Sequence, residues 1–231
     1  MDYIKVKIDA PNLLSFTFCD KLVEDFVVDS FPLLQDADLY YNYGEIESRF
    51  HPISKFITNL CNVMVLKISG AYFELAKVLS TSFPTFENLI HLEVYDIRYL
   101  QMKTLLNFLE FSPNLESPVI KKVEFSGRFN ENTLTFNEVP RCLECLKSIE
   151  IQKFNGHPKE LEMVKFVLKH ARVLQTVDLE TSYTVEDYMD PRKKKKNLKA
   201  KDVDALNKKI MTQLRMSPWA SAGCVIKFSS S

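Results

Sequence analysis

Residues 139–179 read VPRCLECLKSIEIQKFNGHPKELEMVKFVLKHARVLQTVDL. Two segments of similar texture, 146–151 and 174–179, flank a third with helical periodicity at 159–170. The first carries Leu146, Ile149 and Ile151, and the second carries Leu174, Val177 and Leu179. An aliphatic residue followed three and five positions later by two more puts those last two on one face of a strand, because side chains alternate along extended backbone. Strands with one apolar face, joined through a helix, are the unit of a parallel α/β array.

The same triplet can be followed back through the chain. It recurs as Leu13, Phe16, Phe18; Leu34, Ala37, Leu39; Val63, Leu66, Ile68; Leu89, Leu92, Val94; and, degraded, as Leu115, Pro118, Ile120. With the two later copies this makes seven, their leading residues 21, 29, 26, 26, 31 and 28 positions apart. That spacing is the period of a divergent leucine-rich repeat, in which each strand is one rung of a stack. Several copies are introduced by proline, as in Ala10-Pro11-Asn12-Leu13, Phe31-Pro32-Leu33-Leu34 and Ser112-Pro113-Asn114-Leu115. A proline there ends the preceding return without removing a ladder donor from the strand. The expected fold is α/β, a leucine-rich-repeat solenoid of short parallel strands with helical returns. One repeat cannot bury its own apolar face, so the stack folds as one body.

Helical returns are legible at 53–60 (Phe56, Ile57, Leu60), at 73–79 (Leu75, Val78, Leu79) and in the stripe Met102, Leu105, Leu106, Leu109. Residues 18–30 have weaker periodicity and suit turns or a short strand. Pro118 stands where an aliphatic residue is expected, so the fifth rung is predicted to start late, over 119–125, or to bulge. The polar stretch 127–137 reads as a loop, and the chain divides at that point into 1–137 and 138–231.

Beyond Leu179 the texture changes. Residues 180–190 are acidic and irregular, and 192–201 hold seven basic residues and no acid. Val203, Leu206, Ile210 and Leu214 then mark a helix over 202–214, with Asp202 or Asp204 in its first turn. A short strand over 224–228 is expected to pair with the rung at 174–179.

Composition narrows the function classes. Thirty basic and thirty acidic residues cancel, so no net field favours nucleic acid or an anionic membrane. Only five glycines, none at phosphate-loop spacing, argue against nucleotide chemistry. Five cysteines and a strand-like opening fit free thiols in an intracellular protein of cytoplasm or nucleus. Cys142 and Cys145 form a C-x-x-C, but a single such pair is half a zinc site and reads equally as packed thiols. His51, His91, His157 and His170 are scattered, with no nucleophile or paired carboxylate at catalytic spacing. No catalytic, cofactor or metal site is therefore expected. The run Arg192, Lys193, Lys194, Lys195 and Lys196 is the one candidate site, read as an import signal or anion patch, or as a solvated loop. Trp219 reads as a partner anchor or as cover for the end of the core.

The run Val139-Pro140-Arg141-Cys142-Leu143, then 146–151, Gly156, Glu160-Leu161-Glu162 and 166–174 resembles the FBD domain of plant F-box proteins. The segment from Leu214 through Ser217-Pro218 to Phe228 is similar to that domain's end, and the earlier Pro-Asn-Leu copies to the family's leucine-rich region. The resemblance implies that an FBD-like module over 138–231 closes the array. It also implies a non-catalytic, substrate-recognising role in an SCF-type ubiquitin ligase, with a protein substrate as partner. No F-box helix bundle is read in residues 1–231, so a Skp-type adaptor is expected as partner only if an F-box lies upstream. The alternative is a stand-alone binding or decoy protein. His157-Pro158 stands where the family pattern has a capping threonine, which predicts a weaker start for the following helix.

Overall fold

The computed structural model describes residues 4–19, 23–28, 31–40, 57–73, 84–98, 102–124, 139–181, 184–185, 196–197 and 200–230. In chain order these form β1 (Ile4–Ile8), β2 (Ser15–Cys19), β3 (Val23–Val28), β4 (Asp36–Tyr40), β5 (Val65–Ser69), β6 (His91–Tyr95), β7 (Ile97–Arg98), α1 (Met102–Glu110), β8 (Ser117–Ile120) and β9 (Val123–Glu124). A 3-10 turn (Arg141–Glu144) follows, then β10 (Ser148–Phe154), α2 (Pro158–His170), β11 (Thr176–Thr181), β12 (Thr184–Val185), β13 (Lys196–Asn197), α3 (Ala200–Arg215) and β14 (Val225–Ser230). Eight strands build one sheet in the order β14-β11-β10-β8-β6-β5-β4-β2, every pair parallel. The architecture is α/β with a parallel sheet, compatible with a leucine-rich-repeat-like fold.

Each strand begins two residues after the leading residue of its triplet, so the triplets fix the register. One inward ladder runs Phe16, Ala37, Leu66, Leu92, Pro118 on neighbouring strands, and the other runs Phe18, Leu39, Ile68, Val94, Ile120, Ile151, Leu179, Phe228. The leading residue's N–H closes a turn onto the carbonyl three positions earlier in five copies: Leu13 to Ala10, Leu34 to Phe31, Val63 to Leu60, Leu89 to Phe86 and Leu115 to Ser112. The next carbonyl then accepts two N–H groups of the following rung. Leu14 O takes Gln35 and Asp36, Gln35 O takes Met64 and Val65, and Met64 O takes Ile90 and His91. The turn and the ladder therefore satisfy the same backbone, leaving the leading side chain no direction but inward. Each fully buried aliphatic in these ladders contributes about 1.5–3 kcal/mol of burial free energy. Aromatic packing joins neighbouring returns to one another, with the Phe86 and Phe108 rings 4.9 Å apart and Phe73 edge-on to Phe108 at 5.6 Å.

Several expectations are met within a residue or two: helices at α1, α2 and α3, and β14 parallel to β11. The weakly periodic 18–30 segment contains β3, which pairs in parallel with β1 in a separate two-stranded sheet. Only the ends of the returns at 53–60 and 73–79 fall within the described residues, and the 127–137 loop lies outside them.

Two expectations are corrected. The fifth rung neither starts late nor bulges: β8 holds Pro118 in register with Leu92, buried. Ser117 donates to Ile90, so odd positions face β6 and Pro118 would have donated toward β10. Only one donor is missing, and the pairing of β8 with β10 is correspondingly short, Glu150 with Val119 and Ile151 with Ile120. The second correction concerns α2. His157 caps it, the ring Nδ1 accepting from Lys159 N–H at 3.2 Å while Glu160 Oε2 accepts from His157 N–H at 2.9 Å. A neutral imidazole supplies the acceptor that a threonine hydroxyl would, and Pro158 needs no partner at the first helical position.

Two backbone exceptions position this half of the molecule. Lys153 has φ 53°, and the register shifts between Ile151 and Phe154. The extra residue reverses the alternation so that Phe154 is buried and Lys153 is exposed. Gly156 has φ 70°, and a Cβ there would sit 3.0 Å from Ile210 Cδ1. Glycine is thus needed both for the turn and for the approach of α3. Trp219 covers the end of the core, its indole N–H donating to Leu214 O at 3.0 Å.

Val177 is wholly buried and Thr176 faces outward. Val177→Asp is expected to cost several kcal/mol, whereas Thr176→Asn stays within about half a kcal/mol of the parent, as read from urea midpoints. Glu160 supplies the second test. Burial pushes its carboxyl up to about 7, against the backbone N–H groups of His157, Asn155 and Gly156 that favour the charged form. A raised carboxyl stabilises fully below the unfolded pKa, and that contribution is lost as pH rises toward 7. Glu160→Gln keeps an acceptor but no titration, so it should gain on the parent by about 2–3 kcal/mol between pH 4.5 and 8. Parallel stability curves would mean that the N–H groups cancel burial.

Candidate protein-binding surface

Alternation along the rungs turns every second side chain away from the core, onto the open face of the sheet. Its middle row reads Thr17, Asp38, Lys67, Glu93, Val119, Glu150, Asp178, Lys227 across neighbouring strands. These outward residues are half-exposed or exposed, apart from Glu93, which is 8% exposed. The centre of the row is a charge network. Lys121 Nζ lies 2.8 Å from Glu93 Oε1, and Lys67 Nζ lies 3.7 Å from Glu93 Oε2. Tyr95 O–H donates to Asp38 Oδ2 at 3.5 Å, and the Tyr95 ring meets Tyr40 edge-on with centroids 5.7 Å apart.

Burial, the largest influence on Glu93, would raise its carboxyl. The hydrogen bond and charge of Lys121, with the charges of Lys67 and His91, overcome it and hold Glu93 below the usual range. Asp38 ends in the opposite state: burial raises it, with Glu93's charge, and Lys67 and the Tyr95 hydroxyl only partly compensate. The Tyr95 hydroxyl is pushed up by burial and by the two carboxylates, so it remains a donor. Toward the other end of the face Ser229 Oγ donates to Asp178 at 2.7 Å, and Gln152 donates to Glu150 at 2.6 Å. His91 Nδ1 and Ser117 Oγ are 2.9 Å apart on adjacent rungs.

A groove of about 690 Å³ runs beside this face, where turns lead into strands, and Leu33, Met64, Ile90, Glu87 and Glu116 are among its lining residues. One lining residue, Glu116, is ion-paired, with Lys147 Nζ 2.7 Å from its Oε1.

Of the residues singled out in the sequence, Arg192, Lys193, Lys194 and Lys195 lie outside the described residues, and Lys196 lies in β13, paired with Val185. Cys142 is buried and Cys145 half-buried, both as free thiols. Burial, then the charges of Glu110 and Cys145, push the Cys142 thiol up to about 12, the wrong direction for a thiolate ligand or nucleophile. His157 is a helix cap, and His170 lies against the Phe166 ring at 4.8 Å. Among the described residues no three metal-ligating side chains converge, and no helix is long and apolar enough to cross a membrane. The charge network was not singled out in the sequence. Its signal was available as the position four after each leading residue, where Asp38, Lys67 and Glu93 alternate in sign.

The fold and this surface define a repeat-like parallel sheet that presents a polar, charged face, with no clustered chemistry among the described residues. The FBD family model matches residues 137–179. An FBD-associated F-box protein of Arabidopsis thaliana is 30% identical over 184 residues, covering 75% of this chain and 39% of that protein. An F-box protein of the same plant is 26% identical over 226 residues, 96% of this chain and 47% of that protein. A third, an F-box/FBD/LRR-repeat protein, is 29% identical over 189 residues, 76% of this chain and 41% of its own length. No solved structure matches. The chain is thus similar to plant F-box, FBD and LRR-repeat proteins over most of its length, and it spans less than half the length of these curated relatives.

The network has a direct test. Lys121→Met removes the strongest influence lowering Glu93, so its carboxyl should titrate higher than in the parent when followed by carboxyl NMR. A depressed carboxylate stabilises above its unfolded pKa and loses that contribution as pH falls. The variant should therefore lose about 1 kcal/mol at neutral pH and approach the parent in acid.

Proposed function

We propose that this chain is a non-catalytic, protein-binding part of an F-box-type ubiquitin-ligase subunit, and that the open sheet face receives the protein destined for modification. In this reading the eight rungs are the inner surface of a leucine-rich-repeat solenoid. The FBD-like module at 138–231 continues and closes the array begun by 1–137. The observation that carries the reading is the alignment of an F-box protein over 96% of the chain. The charged face supports it, since rows of outward side chains on a rigid sheet can distinguish partners without performing chemistry.

In this proposal the adaptor contact is made by an F-box, the domain that the relatives' names carry, and the target contact by the rungs. The two are separable by pull-down with purified residues 1–231. The expected result is retention of a target protein and no retention of a Skp-type adaptor. Glu150→Lys, a reversal on the outward row, should weaken target retention at least tenfold while leaving the melting temperature within about 2 °C. Tight adaptor binding by residues 1–231 would contradict the division of labour. Retention indifferent to Glu150→Lys would move the target site off the open face.

A further inference from the structure

We propose that the open face is built for an extended, basic segment of its protein partner, with one cation seated at Asp38 against the Tyr40–Tyr95 ring pair and a second at Glu150. This rests on the reading of the face as a protein-binding surface and specifies its ligand.

Charge comes first. The outward positions of the described rungs carry Asp36, Asp38, Glu93, Glu150, Asp178 and Glu180 against Lys67, Lys121, Lys153 and Lys227. Both Lys67 and Lys121 are drawn to Glu93, which occupies two of those four cations at the centre of the face. Acid is thus left on both flanks, on β4 and on β10 with β11. A partner that complements this face brings positive charge to two separated places.

The β4 flank has a shaped seat. Asp38 and Tyr40 lie two positions apart on one strand, and Tyr95 reaches over from β6. The two strands are separated by β5, whose residue in that row is the small, buried Ser69, and the rings close above it. A lysine or arginine side chain arriving from solvent meets a carboxylate and aromatic surface together, the arrangement that binds cations with more than charge alone. Asp38 is the under-compensated carboxylate of the row, raised by burial, and an incoming cation supplies what Lys67 does not.

The register then sets a spacing. Asp38 and Glu150 stand in the same row with β5, β6 and β8 between their strands. Four steps of about 4.8 Å separate them by about 19 Å, which an extended chain covers in about six residues. Val119 lies between, offering an apolar contact rather than a charge. The ligand is therefore a segment crossing the strands with two basic residues about six positions apart and no acid between them.

The test is selection of a random peptide library displayed on phage against the immobilised 231-residue chain. Selected peptides are then measured by fluorescence anisotropy against the parent, Asp38→Asn, Glu150→Gln and Lys67→Ala. Each variant is checked for an unchanged melt. The inference expects enrichment of basic pairs five to seven positions apart. It also expects about tenfold weaker binding in Asp38→Asn and in Glu150→Gln, and weaker binding as salt rises. Enrichment of acidic or apolar peptides whose binding depends on Lys67 would overturn the basic ligand and leave the face as a protein-binding surface. Peptides insensitive to all three substitutions would overturn both.

Discussion

The structure depends on the inward register of eight parallel strands. Two ladders of apolar side chains meet the returns on one side of the sheet, and everything else follows from their position. A slip of one residue in any rung would send Leu66 or Ile151 to solvent and Lys67 or Glu150 into the core. The cost of burying an unpaired charge is several kcal/mol, so the hydrophobic ladder and the charged face are fixed together. The turn that precedes each strand adds a second restraint. Its closing N–H and the doubly accepting carbonyl leave little freedom in where the strand begins.

That restraint explains which departures the fold tolerates. Pro118 is accommodated because the strand is short and the missing donor falls on one side of the ladder only. Lys153 takes up a left-handed conformation because one extra residue returns Phe154 to the core. Gly156 suits its place on both counts, since side chains rarely adopt its φ of 70° and a Cβ would crowd the Ile210 side chain. Pro118 and Lys153 show the packing of the inward residues outweighing local backbone preference, whereas at Gly156 the two agree.

Much of this was legible in the sequence because alternation and helical period are local signals. Apart from β8, expected over 119–125 and found at Ser117–Ile120, the triplets located the main-sheet strands from β2 to β11 to within two or three residues, and Val203, Leu206, Ile210 and Leu214 located α3. The eighth rung was read as a strand but not as a repeat, because Gly223 occupies the leading position and Cys224 is buried beside it. The capping by His157 was misjudged from residue type, although Glu160 three positions later carried the capping-box signal. The network of Asp38, Lys67, Glu93 and Lys121 was harder to see. Its members are 26 to 29 residues apart in the chain and meet only through register. The FBD resemblance supplied what periodicity cannot, a likeness to F-box proteins, and that resemblance is the source of the ubiquitin-ligase context on which the functional proposal rests.

The central claim is that one register divides core from binding face, and site-specific labelling tests it most directly. Cysteine is introduced singly at 149, 150, 151, 177, 178 and 179, and alkylation at each site is followed by mass spectrometry under native conditions. The account predicts rapid labelling at 150 and 178 and protection at 149, 151, 177 and 179 until the protein unfolds. Labelling without alternation, or protection at 150 and 178, would contradict it.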